Sequence, residues 1–283
     1  MAIELVTKYS PYVDEVFVKE SKLDLLTNKD YDFMGAKGVK VYKITTAEMN
    51  DYARNGYKES QKANWSRYGE VKDLAATTQY MLLSKDRSFT FVVDKMDKDE
   101  TGEALDGASA LARQTRQVVI PEIDTYTYGV MCAGAGVKPA AVELTADNIY
   151  DEITKATESL DDSEVPETDR ALTVTPAVYS LMKKCKDIVL ETDIGADMRI
   201  KGVVANLDGM VVIKVPAKRL PQGFGFMVSH KSATVTPLKL EDYRVHQDPP
   251  GVNGELVEGR IVYDAFVLDN KAKGIYYQSL QVD

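Results

Sequence analysis

Two β-rich stretches separated by a long polar run set the strongest limit on this chain. "GVKVYKITT" (residues 38–46) is rich in β-branched side chains. "QYMLLSKDRSFTFVVD" (residues 79–94) alternates Phe89, Phe91 and Val93 with Ser88, Thr90 and Val92, a period of two that predicts a strand. Between them lies "AEMNDYARNGYKESQKANWSRYGEVKDLAATT". Together they read as one very long hairpin. A compact domain rarely carries a structureless connection of about 30 residues, and an isolated two-stranded ribbon is barely stable in water. The hairpin is therefore expected to lie on a neighbouring subunit.

The segment after the hairpin carries the clearest helical pattern. At about 100° per residue from Leu105, one side of residues 102–119 collects Leu105, Ala108, Leu111, Ala112, Thr115, Val118 and Val119. The other side collects Glu103, Asp106, Ser109, Ala110, Arg113, Gln114, Arg116 and Gln117. Pro121 should kink or interrupt this helix, and "EIDTYTYGVMCA" can resume it. Continued to Gly129, the element spans ~40 Å at about 1.5 Å per residue, a backbone for the whole fold.

Elsewhere the patterns are shorter. Val13, Val16 and Phe17, and also Leu23 and Leu26, are spaced as on one turn of helix, and read as an N-terminal arm that docks on something else. "GAGVKPAA" is a loop. Ile149, Ile153, Ala156 and Leu160 predict a helix face, with Thr145 as N-cap and Leu144 with Ile149 as staple. "RALTVT" reads as a short strand and "TPAVYSLMKKC" as a helix capped by Thr175, with Pro176 first. "MVVIKVP", "FGFMVSH", "ATVTPLKL", "GRIVYDAFVLD" and "GIYYQ" read as strands. Residues 261–268 are apolar on both faces apart from Asp264, so that strand is expected to be buried. The order of elements is α+β, without the regular alternation of a doubly wound sheet.

The chemistry-bearing residues form no recognisable site. "DKDETG" (residues 97–102) opens like a calcium loop, with Asp97, Asp99 and Thr101 at alternate positions, but the twelfth position holds Ala108 where a bidentate Glu is required. Helix-start chemistry fits better: Thr101 as N-cap, and Asp99, Glu100 and Glu103 against the positive end of the helix dipole. "GAGVKP" lacks the third glycine of a dinucleotide loop. His230 and His246 have no ligand spacing, Cys132 and Cys185 read as small buried residues, and Asp161 and Asp162 as a solvated turn. "KKCK" and "KRLP" read as surface or subunit contacts. No catalytic, cofactor-binding or metal-binding residue is assigned, and no cofactor is expected. The formal net charge of -9 argues against a protein that coats duplex nucleic acid. With two cysteines, no basic-then-apolar leader and no long apolar run, the chain is expected to be a soluble protein made in a reducing cytosol, away from membranes.

Taken in order, several phrases resemble the major capsid proteins of tailed bacteriophages, the Hong Kong 97 fold. "SPYVDEVFVKESKLDLL" resembles that family's N-terminal arm. "SFTFVVDKMDKDET" is similar to the return strand of its extended hairpin, the E-loop, and the junction into its spine helix. "RQVVIPEIDTYTY" resembles the end of that helix, "DRALTVTPAVYSLMKK" the strand and helix of the axial domain, and "MVVIKVPAKRLP", "FMVSHKSA" and "RIVYDAFVLDNKAKGIYY" the closing strands. The resemblance implies an N-terminal arm over residues 1–34, an extended hairpin over 35–100 and a spine helix of the peripheral domain over 101–139. An axial domain over about 140–235 and closing strands of the peripheral domain over 236–283 would follow.

It also implies a non-enzymatic shell subunit that self-assembles into pentamers and hexamers of an icosahedral virion capsid. That shell would enclose double-stranded DNA, bound non-specifically, and be assembled in the bacterial host cytoplasm. A net negative charge suits a shell that must not hold its packaged DNA. An encapsulin-type nanocompartment shell is the alternative of the same fold. The fold-like part begins within about the first ten residues, so a separate scaffolding protein is expected, with a portal protein and without cleavage. Lys58, Lys62, Lys72 and Asn253 do not align with the crosslinking residues that some members carry, and they are read as solvated or ion-pairing side chains.

Overall fold

The computed structural model describes residues 21–31, 38–54, 66–69, 71–100, 106–185 and 203–281. Its contacts divide the chain into two units, Gly38–Leu82 on the one hand and Met1–Lys37 with Leu83–Asp283 on the other.

The smaller unit is a ribbon. Strands β1 (Gly38–Ile44) and β2 (Ala76–Leu82) pair antiparallel, from Gly38 opposite Leu82 to Ile44 opposite Ala76. Thr45 extends the ladder: its N–H donates to the Ala75 carbonyl at 3.0 Å, and its hydroxyl accepts from the Ala75 N–H at 3.1 Å. Further out, Ala53 N–H donates to the Arg67 carbonyl at 2.9 Å, and Tyr52 meets Tyr68 edge to face at 5.0 Å.

The single strand expected over residues 79–94 is two. After β2 the chain breaks its ladder at Leu83 and Ser84. It restarts as β3 (Lys85–Asp94), which pairs with residues 254–263 instead of with β1. The cause is a long-range contact: the backbone N–H and the hydroxyl of Ser84 both donate to Asp264, which takes this residue out of the ribbon.

The acids of "DKDE" lie in a helix of their own, α1 (Lys95–Glu100), rather than at the start of the long helix. The proposed cap Thr101 falls outside the described residues. The long helix begins at α2 (Gly107–Gln114), where Asp106 is the N-cap and accepts from the N–H groups of Ala108 and Ser109. It passes through a π turn (Thr115–Val119) into α3 (Ile120–Gly134), about 42 Å in all. Pro121 neither ends nor visibly breaks it. Proline has no N–H to give the carbonyl four residues back and crowds that carbonyl. The widened turn accommodates this, with Ile120 N–H donating to the Thr115 carbonyl. The expected apolar stripe is only partly buried. Val119 is inside, but Ala108, Ala112 and Val118 are exposed. The extra residue of the π turn rotates the two halves of the pattern relative to each other, and Gly107 rather than Ala108 faces the sheet beneath.

Helix α4 (Ile149–Asp162) buries Ile149, Ile153, Ala156 and Leu160 as expected. Asn148, not Thr145, precedes its first residue. The two close a reciprocal pair one turn earlier: Asn148 Oδ1 accepts from Thr145 N–H at 2.7 Å and Thr145 Oγ1 from Asn148 N–H at 3.3 Å. Strand β4 (Arg170–Val174) leads into α5 (Pro176–Lys184), capped by Thr175, whose hydroxyl accepts from Val178 N–H. Strands β5 (Val203–Leu207), β6 (Met210–Lys214) and β7 (Phe224–His230) follow. "ATVTPLKL" is divided by Pro237 into β8 (Thr234–Val235) and β9 (Leu238–Gln247). The run 261–268 is buried or half-buried, but as two elements: β10 (Gly254–Tyr263) ends before Asp264, and β11 (Phe266–Val267) joins another sheet. Strand β12 (Ile275–Ser279) closes the chain.

The central sheet has the order β12-β7-β4-β6-β5, with only β4 and β6 parallel. Its strands alternate between two cores, as a period of two demands. Leu172, Val212, Phe226 and Tyr276 face α4 and α5. Their neighbours Ala171, Ile213, Met227 and Ile275 face α3 and the N-terminal segment, where Leu23 and Leu26 join Tyr128 and Met131. The described end of the expected arm thus docks on its own chain, while Val13, Val16 and Phe17 lie outside the described residues. The second sheet, β3-β10-β9, packs Ile261 and Tyr263 against Val119 of the long helix.

Candidate functional site: an exposed ribbon and three anchoring clusters

The period of two puts Tyr42 and Ile44 of β1 on one face with Tyr80 and Leu82 of β2. This face is open: Tyr42 is 72% and Ile44 64% exposed. Lys40 lies over the Tyr80 ring at 5.8 Å, the only charged side chain of the two strands on that face. Tyr52, Tyr68, Val71 and Leu74 of the connecting loop are exposed too, there among charged neighbours such as Asp51, Arg67 and Asp73. Tyrosines with aliphatic neighbours and few charges have the composition of an interface core rather than of a solvated edge.

Three polar clusters tie the larger unit together. In the first, Asp124 of α3 and Arg219, from the turn after β6, form an ion pair at 2.7 Å with both side chains 3% exposed. Ser21 Oγ donates to the other carboxylate oxygen at 2.6 Å. Burial pushes the Asp124 carboxyl above the usual range, while Ser21 and Arg219 pull it back. "KRLP" is therefore not simply a surface cluster, because its arginine is a core residue. In the second, Asp264 is 4% exposed and accepts from Ser84 N–H, Ser84 Oγ, Tyr126 Oη and Ala265 N–H at 2.7–2.8 Å. Burial and the bond to Asp264 raise the Tyr126 hydroxyl. In the third, Lys98 of α1 donates to Asp106 at 3.0 Å and to Glu255 of β10 at 2.7 Å, while Glu255 accepts from Gly107 N–H at 2.6 Å. Hydrogen bonding to Lys98 holds the Asp106 carboxyl below its ordinary value.

The other residues considered for chemistry are scattered. Cys132 and Cys185 are buried free thiols, and burial pushes the Cys132 thiol up to about 12. His230 Nδ1 accepts from Ser232 N–H, and desolvation lowers its pKa. His246 stands 3.3 Å from Glu258 on the outer face of β9 and β10. Asp161 is not a purely solvated turn residue: it pairs at 2.7 Å with Arg170, whose guanidinium is buried and also donates to the carbonyls of Val165 and Pro166. Asn253 gives its carbonyl to Lys95 N–H, and Lys58 and Lys62 lie outside the described residues. Among the described residues, no group of three His, Cys, Asp or Glu side chains is placed to hold a metal ion, and no helix is long and apolar enough to cross a membrane. Asp264 did carry a signal in the sequence, as the one polar residue in an apolar run. Asp124 and Arg219 carried none, because their partnership joins segments 95 residues apart.

No family model matches the sequence, and no curated protein matches it. Solved structures do. A chain from Mycobacterium phage Che8 superposes with a TM-score of 0.73 at 17% identity, covering 97% of this chain and 96% of that one. A chain from the capsid structure of the cyanophage P-SCSP1u gives 0.73 at 14%, covering 98% and 93%. One from the mature capsid of bacteriophage PhiM1 gives 0.70 at 15%, covering 99% and 92%. The likeness runs over nearly the whole of each chain at identities too low to carry side-chain detail, and it establishes that this chain has the α+β fold of phage capsid proteins.

Proposed function

We propose that the protein is a major capsid protein of a tailed bacteriophage, a structural subunit whose copies close a shell. The observation that carries this reading is the Gly38–Leu82 ribbon with its open tyrosine-lined face. A two-stranded ribbon gains little stability alone, and its exposed apolar side chains fit a surface that another copy covers. The end-to-end likeness to chains of phage capsids supports the same reading. Pentamers and hexamers around double-stranded DNA, a separate scaffolding protein and a portal are the assembly and partners proposed with it. The proposed division is arm, extended hairpin, spine helix, axial domain and closing strands. The shell would form in the host cytoplasm and persist in the virion. No catalytic step is assigned to any residue.

Negative-stain imaging of the purified protein, alone and co-expressed with the proposed scaffolding and portal partners, tests the proposal. Closed shells, or rings and sheets of regular subunits, are expected. A monomer that persists at all concentrations and with those partners present overturns it.

A further inference from the structure

The ribbon is joined to the larger unit through Leu83 and Ser84, and Ser84 is held with unusual completeness. Its N–H and its hydroxyl both donate to one oxygen of Asp264, at 2.7 and 2.8 Å. The other oxygen accepts from Tyr126 Oη of α3 at 2.7 Å and from Ala265 N–H at 2.8 Å. Asp264 is itself pinned, its N–H donating to the Pro237 carbonyl at 3.2 Å. The next residue, Lys85, places its ammonium 4.8 Å from the Tyr126 ring centroid. A buried carboxylate that accepts four bonds is a strong and directional node. This one joins Ser84, just before β3, to the long helix and to the point where the chain leaves one sheet for another.

We propose that Asp264 is a positioning residue for Ser84, where the chain enters β3. It acts through Ser84, so that a pull on β2 is passed to α3 and β10 instead of peeling β3 away from β10. This rests on the reading of the ribbon as the part that binds another copy. Covalent connection alone would let such a pull unzip β3 from its lysine end, Lys85 opposite Tyr263. The node closes that route at its first residue.

Hydrogen exchange on the unassembled subunit, together with an assembly titration, tests the inference. The Ser84→Ala, Tyr126→Phe double variant keeps the carboxylate and both backbone donors, so it is expected to fold. Its amides at residues 84–88 should exchange roughly tenfold faster, as loss of hydrogen bonds to a charged group implies, with exchange in β4 unchanged. Its shells should require a higher protein concentration to form. Asp264→Asn should show the same pattern more strongly. Unchanged exchange at residues 84–88 in both variants overturns the inference. A wild type that assembles beside a double variant assembling at the same concentration overturns the positioning role alone. Failure of the wild type itself to form shells overturns the capsid reading and this role with it.

Discussion

Asp124 and Arg219 meet at 2.7 Å in the interior, and neither side chain is more than 3% exposed. The pair fastens the long helix to the turn that follows β6, and Ser21 brings the N-terminal segment to the same carboxylate. A buried pair need not add to stability relative to well-packed apolar residues, but removing one partner strands the other charge. Arg219→Met is therefore expected to cost roughly 3–5 kcal/mol. The check is the urea midpoint at constant slope. Asp124→Leu added to Arg219→Met should recover much of the loss, and a double variant as unstable as the single one would contradict this account.

The start of the long helix gives a pH prediction. Asp106 caps it, and the bond to Lys98 lowers its folded pKa. A carboxyl that is more acidic folded than unfolded contributes stability above its unfolded value, near 3.9. That contribution is lost as pH falls from there through the lowered folded value. Asp106→Ala should weaken the helix start by ~1 kcal/mol at neutral pH. The difference between variant and wild type should shrink on acidification below about pH 4. Thermal melts across that range read it directly; a difference that stays constant would mean that the carboxylate is not the active form of the cap.

Gly136, in the "GAGVKP" loop, has a structural reason unrelated to any nucleotide. Its N–H donates to the Ala272 carbonyl at 2.8 Å, and a Cβ there would stand 2.5 Å from the Ala272 carbonyl carbon and 2.6 Å from Lys273 N. The obstacle is backbone, which cannot swing aside as a side chain can. Gly136→Ala should cost about 1–3 kcal/mol, as forced overpacking does, measured by denaturant unfolding. A neutral result would mean that the two segments separate freely.

Under the proposed function, the ribbon face matters to assembly and not to folding. Tyr42→Ser with Tyr80→Ser removes exposed side chains, and exposed substitutions seldom change stability by more than about 0.5 kcal/mol. The melting temperature of the free subunit is expected to stay put while the yield of shells falls. Equal yields from variant and wild type would show that this face is not a contact between copies.

Much of the fold was legible in the sequence where a segment's own residues decide it. The α4 face, the Thr175 and Pro176 start of α5, and strands β4, β6 and β7 each follow from local periodicity and capping. The errors fall where a distant residue overrides the local pattern. Residues 79–94 read as one strand, and become two because Asp264, 180 residues away, takes the Ser84 donors. Residues 261–268 break at the same node. Asp99 and Glu100 read as the start of the long helix, while they lie in α1 and the described cap of the long helix is Asp106, supported through Lys98 by Glu255 of β10. The length of the polar connection pointed to a hairpin lying on a neighbouring subunit, but not to the open apolar face that the ribbon carries. The buried Asp124–Arg219 pair was not foreseen, since no spacing rule joins the two segments.

The five-stranded sheet has a further consequence. Among the described residues, both of its faces are covered by the chain's own helices and N-terminal segment. In the proposed shell, recognition between copies would fall to appendages and rims such as the Gly38–Leu82 ribbon. A subunit of that kind would exchange one set of neighbours for another without repacking its centre, much as a building block with fixed walls is rejoined only at its tabs.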